Sequence, residues 1–549
     1  MVNFRKTLSK LNGKLSLSRA AALLAGSSLI ASILGLLRER IFNTLYYLPY
    51  PEGADAYRVA FTIPDFMFII LVSGALSVSF IPVFNQRLGS GNKKSAWELS
   101  TSMINLMALA TLVTSILIII FAEPLVQYVV GPGLNESSQA LAVSMMRVIA
   151  VSPFLFAIAT VITSMQQAVG RFAFFALAPA VYNIGIIIGL VFFTNGITIF
   201  GWQVFEGGIM GVALGVVLGA VLQLIISMVG LIGMGFDYKF KIFWKNKGFR
   251  QVLRLLPPRS LDQGIDYVNN IVETNLASRM VTGSVNAYQQ VGALVYMPIN
   301  LVGVAISTAA FPRMTERIAE GRADLFKSEL QQVLRVIIWL ALPIAIIAVL
   351  ARGYVVNFIV NGGDPYMASI LGILGITILF RSIYFISARS FYAQQDTKTP
   401  LYISLFTIGL SITLAIWFTF GLQAGVQGLA WAAVIASVIE ILILFTLMSR
   451  KIKGLFDAPF MHAIGRMVSA AGFMALITYA TVVLFPLSVS DQRFFDAFPK
   501  FAMITIVSFA VYFFFSYLFK LKEVKPVIYR IQRILFKRPK VKDDSNTDS

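Results

Sequence analysis

Residues 73–88 read SGALSVSFIPVFNQRL, and residues 303–318 read GVAISTAAFPRMTERI. Each closes a long apolar run that contains a proline, and each ends in charge. A second pair, GGIMGVALGVVLGAVLQ at 207–223 and GVQGLAWAAVIASVIE at 425–440, recurs at a similar offset of roughly 217 residues against about 230 for the first. The chain is therefore largely a doubled unit. If each copy holds six membrane crossings, both enter the bilayer in the same direction, and the axis relating them runs along the membrane normal.

The runs around these repeats are long enough to cross a bilayer, which takes about 20 apolar residues. Gly, Pro, Asn and charge clusters divide the 549 residues into fourteen candidate helices: 18–48, 54–88, 96–130, 137–168, 171–194, 206–235, 250–281, 284–318, 326–360, 366–394, 398–420, 424–449, 461–486 and 495–520. The composition agrees. With 57% hydrophobic residues, 13% charged residues and 45 phenylalanines, too little polar side chain is present to coat a water-facing surface, so soluble and disordered classes are excluded. The expected fold is an all-α polytopic membrane protein of 14 transmembrane helices: two six-helix lobes related by a pseudo-twofold along the membrane normal, plus two C-terminal helices. Its parts are a basic N-terminus (1–17), a first lobe (18–235), a basic linker (236–249), a second lobe (250–450), the two added helices (451–520) and a basic amphipathic tail (521–549).

Cysteine is absent, which removes disulfides, Cys-ligated metals and thiol catalysis. The single histidine, His462, reads as an interfacial side chain at the start of an apolar segment. No phosphate-binding glycine loop, zinc motif or Ser–His–Asp order is visible, so no enzyme is expected and no cofactor beyond a coupling ion.

Lys and Arg exceed Asp and Glu by 19. Their placement points to membrane topology rather than to nucleic acid. Connections after even-numbered helices carry Arg87, Lys93 and Lys94; Arg171; Lys239, Lys241, Lys245 and Lys247; Arg313, Arg317, Arg322 and Lys327; Lys398; and Arg450, Lys451 and Lys453. Those after odd-numbered helices are nearly free of Lys and Arg apart from Arg493. By the positive-inside rule both termini are cytoplasmic. The basic N-terminus, with Arg5, Lys6, Lys10 and Lys14, lacks the small-residue cleavage site of a signal peptide. In the tail, Val527, Ile528, Ile531, Ile534 and Leu535 recur at helical spacing among Lys and Arg, which suits an amphipathic helix on anionic lipid; the final DDSNTDS is expected to be disordered.

Charges inside the apolar runs are costly, at least ~2.5 kcal/mol each, and usually face a cavity or a partner. The first helix carries Arg38, Glu39 and Arg40, the second Asp55, Arg58 and Asp65. Arg38 is a candidate ligand for an anionic headgroup. Glu39, Arg40 and Asp55 are candidates for an outer gate, with an Arg40–Asp55 ion pair as the plain structural alternative. On the seventh helix Arg259, Asp262, Asp266, Asn270 and Glu273 share a stripe about 80° wide at 100° per residue. Asp262, Asp266 and Glu273 could accept a proton or bind Na⁺, most directly at Asp262 and Asp266, or could pair with Arg381 and Arg389. Pro257 and Pro258 allow that helix to bend. Gly207, Gly208, Gly211, Gly215 and Gly219 permit close helix packing, and Arg147, Arg352 and Glu440 read as structural partners or interfacial residues.

FYAQQDTKTP (391–400), GLLRERI (35–41), GADAYRVAFTIPD (53–65), SGALSVSFIP (73–82) and QQAVGRFAFFALAPAVYNIG (166–185) resemble, in order and spacing, the MurJ/MviN family of lipid II flippases in the MATE-like exporter superfamily. Nearly the whole chain is covered. Ser32, Phe68, Ile69, Gly292 and Ala293 stand where that family commonly has cavity charges. The resemblance implies alternating-access movement of undecaprenyl-diphosphate-linked peptidoglycan precursor from the inner to the outer leaflet of the bacterial cytoplasmic membrane. Arg38, Arg58 and Arg259 would oppose the diphosphate, and the last two helices, rich in Phe501, Phe509, Phe513, Phe514 and Phe515, would guide the lipid tail. The expected partners are lipid II, anionic lipid at the tail, and cell-wall synthesis proteins, with no nucleic acid. The alternatives are a related exporter of another lipid-linked oligosaccharide or a drug, and a scaffold for cell-wall enzymes that transports nothing.

Overall fold

The computed structural model describes residues 17–525 apart from 200, 201, 489, 490 and 492. The expectations for the N-terminal arm before residue 17 and for the tail from residue 526 lie outside the described residues. The chain forms two compact units, one gathering the residues up to Gln290 with Val356–Asp364 and Ile408–Ala432, the other Val291–Val355, Pro365–Thr407 and the residues from Ala433 onward.

The first unit holds α1 (Leu17–Phe42), α2 (Pro51–Phe68), α3 (Gly74–Gly89), α4 (Lys93–Pro124), α5 (Glu136–Ile149), α6 (Ser152–Ala168), α7 (Ala173–Phe192), α8 (Met210–Val229) and α9 (Lys247–Ser278), and the start of α10 (Ser284–Ile299). Then come α11 (Ala305–Ala319), α12 (Ala323–Leu350), the short α13 (Arg352–Asn357), α14 (Pro365–Leu374), α15 (Thr377–Ala393), α16 (Lys398–Ile416), α17 (Gly425–Lys451), α18 (Ala458–Leu484) and α19 (Phe494–Leu518). Among the described residues, eleven helical stretches are long and apolar enough to cross a membrane. Helix also fills the stretches expected for the first, second and seventh crossings, α1, α2 with α3, and α9, which carry the charges singled out above.

Three expected helices are interrupted, the ninth at Ala351 between α12 and α13. The fourth breaks at Ala150 and Val151, where Pro153 opens α6 without a backbone donor, and the tenth breaks at Gly375 between α14 and α15. The connection from 195 to 205, expected as a loop, contains a two-stranded antiparallel hairpin, β1 (Ile197–Ile199) against β2 (Trp202–Phe205). Its β-branched and aromatic residues favour extended backbone.

The repeat is visible in local geometry. A wide π-helical turn, Ile69–Ser73, separates α2 from α3, and another, Asn300–Val304, separates α10 from α11, with Pro82 and Pro312 at corresponding places beyond. Such turns leave carbonyls without their usual partner. In the second unit Arg389 supplies one, donating to the Val304 carbonyl at 3.3 Å and to the Ser307 hydroxyl. Gly303 lets this turn press on α15, since a Cβ there would lie 2.7 Å from Ser382 Cα.

Glycines also join α7 to α8. A Cβ on Gly185 would come 2.3 Å from Gly219 Cα, and one on Gly189 would come 2.4 Å from Gly215 Cα. Gly189→Leu is therefore expected to force these helices apart at a cost of about 1–3 kcal/mol or more. The check is the thermal unfolding midpoint of detergent-purified protein, and an unchanged midpoint would show that the contact has room to spare.

In the second unit α18 and α19 pack on α12. Trp339 donates through Nε1 to Ser516 Oγ at 3.2 Å, and the Tyr512 hydroxyl donates to the Trp339 carbonyl at 2.9 Å, so the polar atoms of this aromatic contact are paired. Of the phenylalanines expected along a lipid-tail groove, Phe501, Phe509, Phe513 and Phe515 pack against this core, while Phe514 is exposed.

The FYAQQDTKTP stretch ends α15 and starts α16. Gln395 takes a left-handed φ of 60°, and Asp396 accepts the Thr399 amide at 3.0 Å, the Thr399 hydroxyl at 2.7 Å and the ammonium of Lys451 on α17. Burial pushes the Asp396 carboxyl up, but Lys451 and Thr399 outweigh it and hold the group at about 2 instead of 3.8. A depressed carboxylate stabilises the fold above its ordinary pKa, and that contribution is lost as pH falls through about 2. Asp396→Asn is thus expected to lower the unfolding temperature at neutral pH, with the gap from wild type closing between pH 4 and 2. A gap independent of pH would mean the carboxylate charge is not what matters.

Candidate functional site

Arg38, Glu39 and Arg40 are consecutive near the end of α1, so their side chains leave the helix about 100° apart and reach different neighbours. Arg38 donates through Nη1 to Asn183 Oδ1 of α7 at 3.0 Å and through Nη2 to Glu39 Oε1 at 2.6 Å. The other Glu39 oxygen accepts from Arg58 of α2. One carboxylate thus bridges two guanidiniums. Arg58 also donates through Nε to Asn286 Oδ1 of α10 at 2.9 Å, and its guanidinium lies 5.3 Å from the centre of the Phe42 ring and 5.6 Å from that of Tyr57. Arg38 keeps 24% of its side chain exposed, so it can still meet a ligand.

One turn further, α1 runs into a π-helical turn, Asn43–Tyr47. Asn43 is fully buried and exchanges two amide hydrogen bonds with Gln290, both at 2.7 Å, while also donating to the Ile359 carbonyl at 2.8 Å. Gln290 donates to the same Asn286 oxygen that receives Arg58, at 2.9 Å. A continuous polar chain therefore runs from Asn183 through Arg38, Glu39, Arg58, Asn286 and Gln290 to Asn43.

Asp55 lies beside this chain, only 3% exposed. Its two oxygens accept the backbone amides of Gly283 at 2.6 Å and Asn286 at 2.8 Å, so it caps the start of α10. A carboxylate suits that place because the first amides of a helix have no partner within it and the helix dipole is positive there. Arg40 donates to the carbonyls of Asn357 at 2.5 Å and Phe358 at 3.2 Å, and the Tyr47 hydroxyl to Asp364 Oδ2 at 2.6 Å. The ion pair considered for Arg40 and Asp55 is thus replaced by two separate anchorages, because a helix start offers Asp55 two amides and the Asn357–Phe358 turn offers Arg40 two carbonyls. Glu39 pairs with two cations, whereas Asp55 pairs with backbone.

The seventh-helix stripe lies on α9. The side chains of Arg259, Asp262 and Asp266 lie outside the described ones; Glu273 accepts from Asn269 Nδ2 at 2.9 Å. Of its alternative partners, Arg389 meets the Val304 turn, and Arg381 faces Glu440 Oε2 at 3.7 Å. Glu440 is buried and also accepts the hydroxyls of Ser404 at 3.0 Å and Thr407 at 3.2 Å, in line with a structural role. Among the described residues no three His, Asp or Glu side chains gather as a metal site.

Reading charge alone passed over Asn43, Asn183, Asn286 and Gln290. Their signal was present, since a primary amide in an apolar run is costly to bury unless paired.

A chemical group that this cluster can take is an anion, since two guanidiniums converge on one carboxylate and a planar fork matches phosphate oxygens. In comparison with known proteins, the model of the family described as lipid II flippase MurJ matches residues 51–495. The chain belongs to this MurJ family. It is 25% identical over 478 residues to the lipid II flippase MurJ of Burkholderia cenocepacia, covering 84% of this chain and 90% of that one. A probable lipid II flippase MurJ from Rhizobium tropici is 21% identical over 549 residues, 97% of this chain and 99% of the relative. Among solved structures, a lipid II flippase MurJ in an inward closed conformation matches with a TM-score of 0.70 at 23% identity, covering 91% of this chain and 98% of that chain. An inward-facing multidrug resistance MATE family transporter of the MOP superfamily matches with a TM-score of 0.65 at 16% identity over 78% of this chain and 96% of its own. The fold is that of MurJ and MATE transporters, and the family is one of transporters.

Proposed function

We propose that this chain moves lipid II from the inner to the outer leaflet of the bacterial cytoplasmic membrane by alternating access, with both termini cytoplasmic. The observation that carries the reading is the Glu39 carboxylate held between Arg38 and Arg58. It occupies the place that a diphosphate would take, so substrate and Glu39 compete for the same donors. A diphosphate brings more charge and more oxygens than one carboxylate, and it would draw both guanidiniums while Glu39 turns away. Arg259 is the further cation offered to the same headgroup. Release of Gly283 and Asn286 by Asp55 would free the start of α10 and open the outer side. The test is a leaflet-accessibility assay in cells with no other flippase, where depletion should leave lipid II on the inner leaflet. Another stalled glycolipid would favour a related exporter, and wall defects with no stalled lipid would favour a scaffold.

The likeness to MATE transporters raises export of a cationic drug as a second reading. The site favours an anion where Arg38 and Arg58 converge on Glu39, because the donors that a ligand exchanging with that carboxylate would meet are guanidiniums.

Coupling to an ion rests on the α9 stripe. If Asp262, Asp266 and Glu273 bind Na⁺ or a proton with different affinity in the two states, transport follows the gradient. Asp266→Asn is then expected to keep substrate binding while losing gradient dependence in liposomes; wild-type gradient dependence in the variant would remove the stripe from coupling.

A further inference from the structure

The exposed face of α18 changes character along its length. His462, Gly465, Arg466 and Ser469 stand on one side at helical spacing, all exposed, and with Met461 and Phe519 they line an open groove of about 440 Å³. The same stripe continues as Phe473, Leu476 and Val483, which are 43%, 67% and 58% exposed. In a bilayer such a stripe lies against acyl chains. α18 has 27 residues, so at ~1.5 Å per residue it is roughly 10 Å longer than a ~30 Å hydrocarbon layer. Its first turns therefore stand at headgroup level, and the groove sits where chain gives way to phosphate.

The lining has the chemistry of an anion site, and none of its six residues is acidic. Arg466 donates through Nη1 to the Phe519 carbonyl at 3.5 Å, which holds the guanidinium across the end of α19 while its other N–H groups remain for a ligand. The His462 Nδ1 lies 2.7 Å from the Ala458 carbonyl. A carbonyl only accepts, so Nδ1 carries the hydrogen, and Nε2 of the neutral ring is an acceptor. The Ser469 hydroxyl is committed to the Gly465 carbonyl at 3.0 Å, which leaves the Arg466 guanidinium as the side-chain donor of the lining. Beside Phe519, exposed Lys520 holds a left-handed φ of 56°, a conformation non-glycine residues seldom take, and ends α19 with a lysine next to the groove.

We propose that this groove binds the phosphodiester headgroup of an anionic phospholipid, with Arg466 on the phosphate, Lys520 adding to the positive rim, and the acyl chains along Phe473 and Leu476. The site is independent of the Arg38 cluster and of what the protein carries. The continuous apolar stripe favours a lipid over free phosphate, because only a lipid fills both halves of the surface.

The test titrates detergent-purified full-length protein with phosphatidylglycerol and with phosphatidylcholine of the same chains, counting bound lipids by native mass spectrometry. Wild type is expected to hold one phosphatidylglycerol about fivefold or more tighter than phosphatidylcholine, the order of one favourable ion pair. Arg466→Ala should abolish the preference, and excess inorganic phosphate should not displace the lipid. Should Arg466→Ala fail to fold, Arg466→Gln removes the charge while keeping an amide donor for Phe519. Equal affinity for the two lipids in wild type, or an undiminished preference in the folded variant, would overturn the proposal. Displacement by inorganic phosphate would also overturn it, by making the groove a site for free anions.

Discussion

Arg38→Ala is expected to abolish lipid II translocation at normal protein levels, and Arg38→Lys to retain part of it. Removing Arg38 leaves its neighbours partly paired: Glu39 keeps Arg58 on one oxygen, and Asn183 Nδ2 keeps its bonds to the carbonyls of Pro179 at 3.1 Å and Ala31 at 3.3 Å, while Glu39 Oε1 and Asn183 Oδ1 lose their donor. The variant should therefore fold. What it loses is a partly exposed guanidinium at the point where an incoming diphosphate would exchange with Glu39. Removing one partner of a desolvated, hydrogen-bonded charge pair costs on the order of 2–5 kcal/mol, roughly thirtyfold or more in affinity. After Asp65, the end of α2 and the turn that follows it read FMFIILVS and carry no further cation to compensate. Lysine restores the charge without the planar fork, so it holds one phosphate oxygen at a time. A leaflet-accessibility assay measures this directly, and full activity of the Ala variant would take Arg38 out of the mechanism.

The membrane class, the run of helices and the doubled unit were legible because bilayer thickness and backbone hydrogen bonding leave an apolar chain few alternatives. The repeat of 73–88 in 303–318 even reports the paired π-helical turns, which end on the first residues of each copy. The site was legible only in part. Arg38, Glu39 and Arg58 stood out because charge in an apolar run demands a partner, yet nothing in their spacing says that one carboxylate serves both arginines. The Asp55 partners are backbone amides, and every residue carries an amide, so side-chain identity could not reveal them. Sequence spacing likewise set Asp55 beside Arg40, whereas the contacts that decide are with Gly283 and Asn286, more than 220 residues away.

Asp55 is also where the largest conformational effect is expected. Both oxygens accept an amide from the start of α10, and this needs an acceptor at each position. Asn offers one oxygen and one NH₂, so in Asp55→Asn a donor must face a donor at either Gly283 or Asn286; Asp55→Ala loses both bonds. A buried donor left unpaired costs about 1–3 kcal/mol, which moves a two-state equilibrium by roughly five- to 150-fold. Because Asn286 also receives Arg58 and adjoins Gln290, loosening the cap should release the whole polar chain rather than a single bond. The absence of native cysteine makes this measurable without background. Ala287→Cys places a thiol on a fully buried position of α10, and its modification by an impermeant reagent should quicken about tenfold or more when Asp55→Asn is added. A thiol at Ala470, equally buried in the second unit, is expected to stay protected in both backgrounds. Faster labelling at both positions would mean that the variant has unfolded, and unchanged labelling at 287 would mean that Asp55 caps α10 without holding it shut.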